Sequence, residues 1–347
     1  MSKIAFVTDT HFGCRNDSPQ FLEYFFEFFT EQFFPYLKQN NITKVIHLGD
    51  LLDRRKYVNF LTLSRVQNEF IKPIKEAGIE FHCIIGNHDT YYKNTNDLNS
   101  VKELFENSIH IYNKPQIVTV AGFEFAVVPW INRENESECM DFIKTAKADI
   151  LLGHLELRGY EVLGGIKSEE GTDPKLFGRY ESVYTGHFHH RQSNDNIHYL
   201  GTPYQITFND VYNKNGFYIF DTETRIMDFQ ENEAKIFYSI RYNDKEHDMG
   251  AIDFSKYRNC FIKIIIEEKT KNYMFDKFVD SMYNAEVAEL TVVEQILPVG
   301  AENEEPIDTS KDTITIINDE IDRMSEVTNK NKLKTIIHDL YIESLSE

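Results

Sequence analysis

The chain of 347 residues has only four cysteines, and no two of them form a CxxC pair. Scattered cysteines argue against a disulfide framework and against a zinc ribbon, both of which need regular spacing. The sequence therefore predicts four reduced thiols in a reducing compartment, namely Cys14, Cys83, Cys139 and Cys260.

Long apolar runs are also missing. No window holds about 18 uninterrupted apolar residues, the length that a membrane-spanning helix needs. The N-terminal stretch MSKIAFVTDTHFG has no basic segment followed by a long apolar run and a small-residue cleavage site. We therefore expect a cytoplasmic protein with no membrane association.

Positive charge is scarce. The chain has 37 Lys and Arg against 56 Asp and Glu, which gives a formal net charge of −19. Such a protein repels nucleic acids at long range. If it acts on a polyanion, then metal ions, a local basic patch or a basic partner must offset the repulsion.

Apolar residues are plentiful, at 41%, and the chain includes 27 Phe and 19 Tyr, so a packed core is expected. The first part alternates predicted strands (3–9, 44–50, 79–89) with predicted helices (18–40, 60–77), an alternation typical of parallel βαβ units. Pro35 is expected to end or kink the first helix. From about residue 109 strands dominate, with one helix at roughly 134–147. This indicates an α/β (α+β) fold, with a mixed sheet or two sheets packed face to face between helices.

The character of the chain changes near residue 235. Residues 1–235 are predicted to form one large domain and 236–297 a small α/β unit. Residues 298–312, acidic and with two prolines, are predicted to be a linker. Residues 313–347 carry two helical patterns, which either pack on their own domain or bind a partner.

Polar clusters follow five of the predicted strands. In an open α/β sheet, the carboxyl ends of the strands are where functional sites assemble. Acidic, amide and imidazole side chains gathered there favour a metal site over unrelated surface histidines. The clusters are Asp9-Thr10-His11, Gly49-Asp50 with Asp53, Gly86-Asn87-His88-Asp89, Gly153-His154 and Gly186-His187-Phe188-His189.

The residue types match the needs of a pair of divalent cations. Such a pair requires oxygen and nitrogen ligands and one bridging carboxylate, for which Asp50 is the best candidate. Asp9 and His11 lie two residues apart and can project to one side of an extended segment. His187 and His189 have the same spacing.

Taken in order, the motifs DxH, GDxxD, GNH[DE], GH and GHxH over about residues 1–205 resemble those of the calcineurin-like metallophosphoesterases. The resemblance implies a β-sandwich flanked by helices. It also implies two divalent metal ions, with manganese favoured in the family, that activate a hydroxide for attack on a phosphodiester bond. The implied ligands are Asp9, His11, Asp50 and His189 for one ion, and Asp50, Asn87, His154 and His187 for the other.

Two further residues are predicted to be catalytic. His88 lies beside a metal ligand without being needed as one, so we expect it to protonate the leaving oxygen. Asp53 is expected to orient His88 and to keep its proton in place, as carboxylates do for histidines around metal sites. The same Asp–His pairing occurs in relatives.

The substrate class has a leading and an alternative interpretation. The stretch GDLLDRR is similar to the GDxxDRG box of phosphoprotein phosphatases, so Arg54 favours a phosphatase of monoesters or small diesters. The GHxH motif and the Asp after GNH fit nucleases and diesterases better. A third possibility, a scaffold that only binds, predicts missing ligands, and none of the seven is missing.

The order of domains resembles the SbcD-type DNA repair nucleases. This resemblance implies a DNA exonuclease and endonuclease that acts with an SbcC-type coiled-coil ABC ATPase in DNA recombination and double-strand-break processing. Residues 236–297 would then form a capping domain that seats DNA, and helices at 313–325 and 331–345 would bind the ATPase. A homodimer within a heterotetramer is expected, in the host cytoplasm if a phage encodes the chain.

Candidate DNA contacts lie in two short stretches near the predicted metal site. A short basic run follows the GDLLD motif, and an aromatic residue follows Gly201-Thr202-Pro203. The basic run lies near the predicted site and can contact the phosphate backbone of DNA. The predicted DNA-binding residues are Arg54, Arg55, Lys56 and Tyr204.

Overall fold

The computed structural model describes residues 2–163, 165–246 and 248–294, and residues 318, 321, 330 and 332–337. It divides into two compact units: Met1–Ile206 with Tyr212–Ala234, and Thr207–Val211 with Lys235–Glu347. The roles predicted for the domains stay predictions. The linker predicted at 298–312 and most of the helices predicted at 313–325 and 331–345 lie outside the described residues. Residues 332–337 are helical.

Two six-stranded sheets and one two-stranded sheet lie in the first unit. Its strands are β1 (Lys3–Val7), β2 (Lys44–His47), β3 (Glu80–Ile84), β4 (His110–Tyr112), β5 (Gln116–Val120), β6 (Phe123–Val128), β7 (Ile150–His154), β8 (Glu161–Leu163), β9 (Ile166–Lys167), β10 (Ser182–Gly186), β11 (Gln192–Asn194), β12 (Ile197–Tyr199), β13 (Gly216–Asp221) and β14 (Met227–Glu231). The first large sheet has the order β14-β13-β1-β2-β3-β4, the second has the order β11-β12-β10-β7-β6-β5, and β8 pairs with β9.

Each sheet contains four parallel strands, with antiparallel strands at one edge of the first sheet and at both edges of the second. Strands β1 to β4 run parallel, while β13 and β14 pair antiparallel. In the second sheet β12, β10, β7 and β6 run parallel, while β11 and β5 pair antiparallel. The parallel strands therefore bring their carboxyl ends to one edge of each sheet.

An apolar core joins the two sheets. Phe6 and Ile46 of the first sheet belong to the same buried cluster as Phe125 and Leu152 of the second. Burying one such side chain contributes about 1.5–3 kcal/mol. The predicted α/β fold is therefore confirmed, in its form of two sheets packed face to face.

Helices flank the two sheets. One continuous helix consists of α1 (Pro19–Glu27), a π-helical turn (Phe28–Phe33) and α2 (Phe34–Gln39), and another of α3 (Phe60–Arg65), a π-helical turn (Val66–Ile71) and α4 (Lys72–Glu76). A short turn with left-handed residues spans Cys14–Asp17. The other helices of the unit are α5 (Ser100–Phe105), α6 (Glu136–Thr145) and a 3₁₀ turn at Pro174–Phe177. A further 3₁₀ turn spans Phe208–Tyr212.

The first long helix does not end at Pro35, which was one of the two outcomes expected at this proline. It continues to Gln39 because a π-helical turn directly precedes the proline. The wider turn reduces the clash between the proline ring and the carbonyl one turn back. The second helix repeats this arrangement, with a π-helical turn before Pro73.

The second unit contains a three-stranded parallel sheet. Its order is β15 (Phe237–Asn243), β16 (Phe261–Glu268) and β17 (Glu289–Glu294), and α7 (Asn272–Asn284) connects the last two strands. Short 3₁₀ turns lie at Met249–Ala251 and Ser255–Tyr257. Ile262 and Ile264 of β16 pack in one core with Phe278 of α7. Among the helices that the structure describes, none has the length and apolar character to cross a membrane.

Candidate metal centre

Donor side chains from both sheets converge at the carboxyl ends of five parallel strands. In the first sheet, Asp9 follows β1, Asp50 follows β2 and Asn87 follows β3. In the second sheet, His154 ends β7 and His187 follows β10. The topology thus brings together residues separated by more than a hundred positions.

The first cluster contains Asp9, His11 and His189, whose candidate ligand atoms lie within 4.8 Å of one another. The Nε2 atoms of His11 and His189 are only 3.1 Å apart. Asp9 and His11 are buried. Two imidazole nitrogens that face each other beside a buried carboxylate need a proton or a cation between them.

The second cluster contains Asp50, His154 and His187, again within 4.8 Å. The Oδ1 atom of Asn87 joins it, at 3.0 Å from His154 Nε2 and 2.9 Å from His187 Nδ1. On its other side, the His154 ring is fixed by a contact of 2.8 Å between its Nδ1 and the Leu48 carbonyl. Such a contact selects the tautomer that leaves Nε2 free as a ligand atom.

Asp50 lies between the two clusters. Its Oδ2 is 3.3 Å from His154 Nε2 in the second cluster and 3.6 Å from His11 Nε2 in the first. Its Oδ1 accepts a hydrogen bond of 2.8 Å from the His88 amide. One carboxylate therefore reaches both groups of donors, as a bridging ligand must.

The backbone at the site is strained. Asp9, His11, Asp50 and His187 all have positive φ, at 51°, 43°, 57° and 95°. Non-glycine residues in this region cost about 1–3 kcal/mol each and are concentrated at functional sites. The fold thus holds these side chains in place against a local preference.

Gly186 allows a close approach at the centre of the site. A Cβ atom at this position would lie 2.7 Å from Asp9 Oδ2 and 3.1 Å from His154 Nδ1. The next residue, His187, donates its amide hydrogen to both carboxylate oxygens of Asp9, at 3.1 and 3.2 Å. The glycine before the ligand therefore lets the β10 backbone approach the carboxylate that follows β1.

Two histidines of the site are held in the neutral form. Burial lowers the pKa of His187 to about 3, and the nearby His154 acts in the same direction. Burial and the neighbouring His11 also hold the pKa of His189 well below its ordinary range. A neutral imidazole is the form that binds a metal ion.

The other two histidines, His11 and His154, have raised pKa values. Burial alone would lower the pKa of His11, but its contact with the Asp53 carboxylate and the charge of Asp50 raise that pKa to about 9. Burial of His154 is likewise outweighed by Asp50, and the pKa of His154 rises to about 9. These buried positions therefore favour positive charge, whether a proton or a cation supplies it.

The pKa values of the two central carboxylates, Asp9 and Asp50, are shifted in opposite directions. Burial and the charge of Asp50 raise the pKa of Asp9, against the effect of His154. For Asp50, burial is outweighed by His154 and His88, which hold its pKa well below the usual range. Cations beside both groups would relieve their repulsion, so the donor chemistry fits divalent metal ions.

A third group, His11, Asp53 and His88, lies beside the first cluster. The carboxylate of Asp53 contacts His11 Nδ1, at 3.1 Å. His88 Nδ1 instead lies 2.5 Å from the main-chain carbonyl oxygen of Asp53. The expectation that the Asp53 carboxylate orients His88 is therefore corrected. The Asp53 backbone contacts His88, because its side chain turns to the more buried His11.

Asp89 is a site residue to which the sequence assigned no role. It is fully buried, and its carboxylate accepts hydrogen bonds from the amides of Gly86, Asp50, Leu51 and Leu52 at 2.9–3.3 Å. Burial and the charge of Asp50 raise its pKa to about 7. Asp89 thus links the loops after β2 and β3. The sequence does contain a signal for Asp89, because this residue ends the GNHD motif that follows a predicted strand.

The predicted DNA contacts differ in exposure. Lys56 is exposed. Arg54 is bonded to Tyr57 and to Asn16 Oδ1, and its Nη1 lies 3.7 Å from Asp17 Oδ2. Arg55 is half-buried and donates to Thr90 Oγ1 at 3.4 Å.

Tyr204 has no exposed surface. Its ring stacks on Phe25 at 3.9 Å, and its hydroxyl donates to the Thr10 carbonyl at 2.6 Å. The expectation that Tyr204 contacts DNA is therefore corrected, because the aromatic core between helix and sheet takes up its ring. Through its hydrogen bond to Thr10, Tyr204 holds the loop that carries Asp9 and His11.

Comparison with known families identifies this arrangement. Residues 2–191, more than half of the chain, match the family described as Calcineurin-like phosphoesterase. The chain belongs to the calcineurin-like phosphoesterases. It is therefore a phosphoesterase, a hydrolase of a family that binds divalent metals, and the resemblance predicted from the motifs is confirmed.

Three relatives have known names. The chain is 32% identical over 319 residues to "Exonuclease subunit 1" of Enterobacteria phage T4, covering 90% of this chain and 91% of the relative. It is 24% identical over 254 residues to a subunit of the nuclease SbcCD of Staphylococcus epidermidis, covering 64% and 66%. It is 30% identical over 202 residues to "DNA double-strand break repair protein Mre11" of Sulfurisphaera tokodaii, covering 55% and 50%.

Proposed function

We propose that this phosphoesterase is a DNA nuclease, with both exonuclease and endonuclease activity, that hydrolyses phosphodiester bonds with two divalent cations. The observation that carries the proposal is the pair of donor clusters that share Asp50. Asp9, His11, Asp50 and His189 would hold one cation, and Asp50, Asn87, His154 and His187 the other. When bound, such a pair lowers the pKa of water and offsets the charge on phosphate oxygens.

Manganese is the cation that we propose. Carboxylate and amide oxygens mixed with imidazole nitrogens suit Mn²⁺, Fe²⁺ and Zn²⁺, and the described clusters include no thiolate that would favour zinc. All four cysteines are buried and lie outside these clusters. Metal content after growth with each cation will rank the three.

His88 is proposed to donate the proton to the leaving oxygen. Its amide is fixed on Asp50 Oδ1 and its Nδ1 lies against the Asp53 carbonyl, which can only accept a hydrogen bond. The Nδ1 atom must therefore carry a hydrogen, which leaves Nε2 as the atom that gains or loses a proton. A half-buried ring held in this way can act as a general acid.

The substrate is proposed to be DNA because the three relatives are named as nucleases or as a DNA repair protein. The alternative, a phosphatase of monoesters or small diesters, needs Arg54 to bind a terminal phosphate. The Arg54 guanidinium already contacts Asn16 and lies 3.7 Å from Asp17 Oδ2. These contacts make the phosphatase the weaker proposal.

Two of the relatives are named as subunits of larger enzymes. We propose that residues 313–347 bind a coiled-coil ABC-type ATPase, that residues 236–297 help seat DNA, and that the complex acts in recombination and double-strand-break processing. At a net charge of −19, DNA affinity then depends on the metals and on the partner.

We also propose a homodimer within this assembly. At the start of α3, Phe60 is 88% exposed and Leu61 49% exposed, and Tyr57 just before it is 60% exposed. By contrast, the aromatic residues of α1 are buried. Phe60→Glu should therefore produce monomers in light scattering, while Tyr212→Phe, at another exposed aromatic residue, should not. If light scattering gives both variants the same molar mass, the proposed dimer surface around Phe60 is contradicted.

A side-by-side assay tests the catalytic proposal. Linear duplex DNA, a phosphopeptide and a chromogenic phosphodiester are each incubated with the purified chain and Mn²⁺, with and without a chelator. We expect chelator-sensitive cleavage of DNA and of the diester. Activity on the phosphopeptide without cleavage of DNA would contradict the nuclease and support the phosphatase.

A binding assay tests the role of the partner. DNA affinity is measured against salt concentration for the chain alone and for its complex with the ATPase. We expect strong, salt-dependent binding only for the complex. Tight binding by the isolated chain would show that the partner is not needed.

A further inference from the structure

Trp130 is the single tryptophan of the chain and lies beside the second cluster. Its ring centroid is 5.0 Å from that of His187 and 6.2 Å from that of His154. It follows β6, whose neighbour β7 ends in His154, so it belongs to the same edge of the second sheet. The roles proposed for the metal ligands and for His88 do not involve it.

The backbone of Trp130 is held firmly. Its amide donates to the Ile85 carbonyl at 2.8 Å, just before the loop that carries Asn87. Its carbonyl accepts from Asn96 Nδ2 at 2.8 Å and from Asn135 Nδ2 at 3.0 Å. These contacts fix the backbone that carries the indole, and a fixed backbone lowers the cost of ordering a binding group.

The indole N–H, in contrast, makes no hydrogen bond with the residues that the structure describes. It is also not among the side-chain atoms that are buried without a partner, so it is open to solvent. A half-buried ring that lies beside His154 and His187 thus carries one unused donor. A neutral donor suits this place, since it adds no charge to repel a cation.

We infer that Trp130 contacts the substrate, and that its N–H donates to an oxygen of the phosphate group at the second cluster. This inference rests on the proposed function only for the identity of that phosphate, which there belongs to a DNA strand. Removing a hydrogen bond to a charged group lowers affinity on the order of 10- to 100-fold. The contact predicts such a loss for phosphate and for DNA, and none for the metal.

Intrinsic fluorescence of the wild-type protein provides the first test, because all of its tryptophan emission comes from Trp130. Mn²⁺, which is paramagnetic, should quench the emission as the clusters fill. Inorganic phosphate added at saturating Mn²⁺ should then change the emission again. If phosphate binds, as measured by calorimetry, and the emission stays constant, the inference is overturned.

Trp130→Phe provides the second test, since it keeps an aromatic ring and removes the donor. At saturating Mn²⁺ the affinities for inorganic phosphate and for a single-stranded oligonucleotide should fall about 10-fold or more. The affinity for Mn²⁺ should be unchanged. The control is Tyr212→Phe, which removes one exposed donor in the same unit.

The outcomes separate the two proposals. Equal phosphate affinity in wild type and Trp130→Phe, or a loss confined to Mn²⁺ affinity, overturns the inference. If wild type binds phosphate with the expected fluorescence change but does not cleave DNA, the proposed nuclease fails while the role of Trp130 stands.

Discussion

The strand ends at the metal centre and the sheet of residues 237–294 differ in how they use polar residues. At the metal centre, Asp9 and Asp50 are buried with positive φ. In the other sheet, β16 buries Ile262 and Ile264 and exposes its last two residues, both glutamates. Among the described residues, the three groups able to hold a metal all lie in the first unit. Buried carboxylates at positions of positive φ therefore distinguish the proposed metal centre, since the positive-φ residues Asn259 and Glu286 of the second unit are exposed.

The sharpest way to test this contrast is His88→Gln. The variant should keep its affinity for Mn²⁺, because the proposed ligands are intact, and should lose about 10²- to 10⁴-fold in the rate of DNA hydrolysis. Calorimetry measures the first quantity and a nuclease assay the second. His198→Gln, at a histidine outside the clusters, is the matched control. Full activity in His88→Gln would refute the proton-donor role.

A core substitution in the second unit should lower stability and leave the affinity for Mn²⁺ unchanged. Ile264 is completely buried in β16, so Ile264→Ala should lower the free energy of unfolding by about 2–5 kcal/mol. Denaturant unfolding followed by circular dichroism measures this loss. The affinity for Mn²⁺ should not change, and a clear fall would show that the metal centre depends on the second unit.

Asp89→Asn tests how the metal centre is supported. An amide keeps the shape but loses part of the capacity to accept the four backbone hydrogen bonds that hold the loops of Asp50 and Gly86. Changes of this kind behind a ligand reduce metal affinity by about 10- to 100-fold. Titration with Mn²⁺ measures this affinity. The control is Asp97→Asn, at an exposed carboxylate. Unchanged affinity would mean that the loops hold their shape without Asp89.

The smallest effect is expected for Tyr204→Phe. Loss of the hydroxyl leaves the Thr10 carbonyl without its 2.6 Å hydrogen bond and should lower stability by about 1–3 kcal/mol. The affinity for DNA should stay the same, since the ring is in the core. Tyr212→Phe, at a residue 72% exposed, should change neither quantity. Weaker DNA binding without loss of stability would restore Tyr204 as a DNA contact.

The sequence predicts the fold and the members of the site for a physical reason. Short motifs such as Gly186-His187 follow apolar strands, and the topology of parallel strands brings such positions together. Helix periodicity also predicted the Phe-rich helix, although not that a π-helical turn lets it pass Pro35.

Contacts between distant residues could not be predicted in this way. The Asp53 carboxylate faces His11, although His88 was the expected partner, because side-chain direction depends on packing. Tyr204 follows a loop motif, yet its ring is buried against Phe25. Trp130 carries no motif, and only the pairing of β6 with β7 places it beside His154.

Anomalous diffraction from crystals soaked in Mn²⁺ tests the central claim most directly. The account predicts two peaks, one among Asp9, His11, Asp50 and His189, the other among Asp50, Asn87, His154 and His187. The Asp50 carboxylate should contact both. A single peak, or two peaks with Asp50 bound to neither, would contradict it.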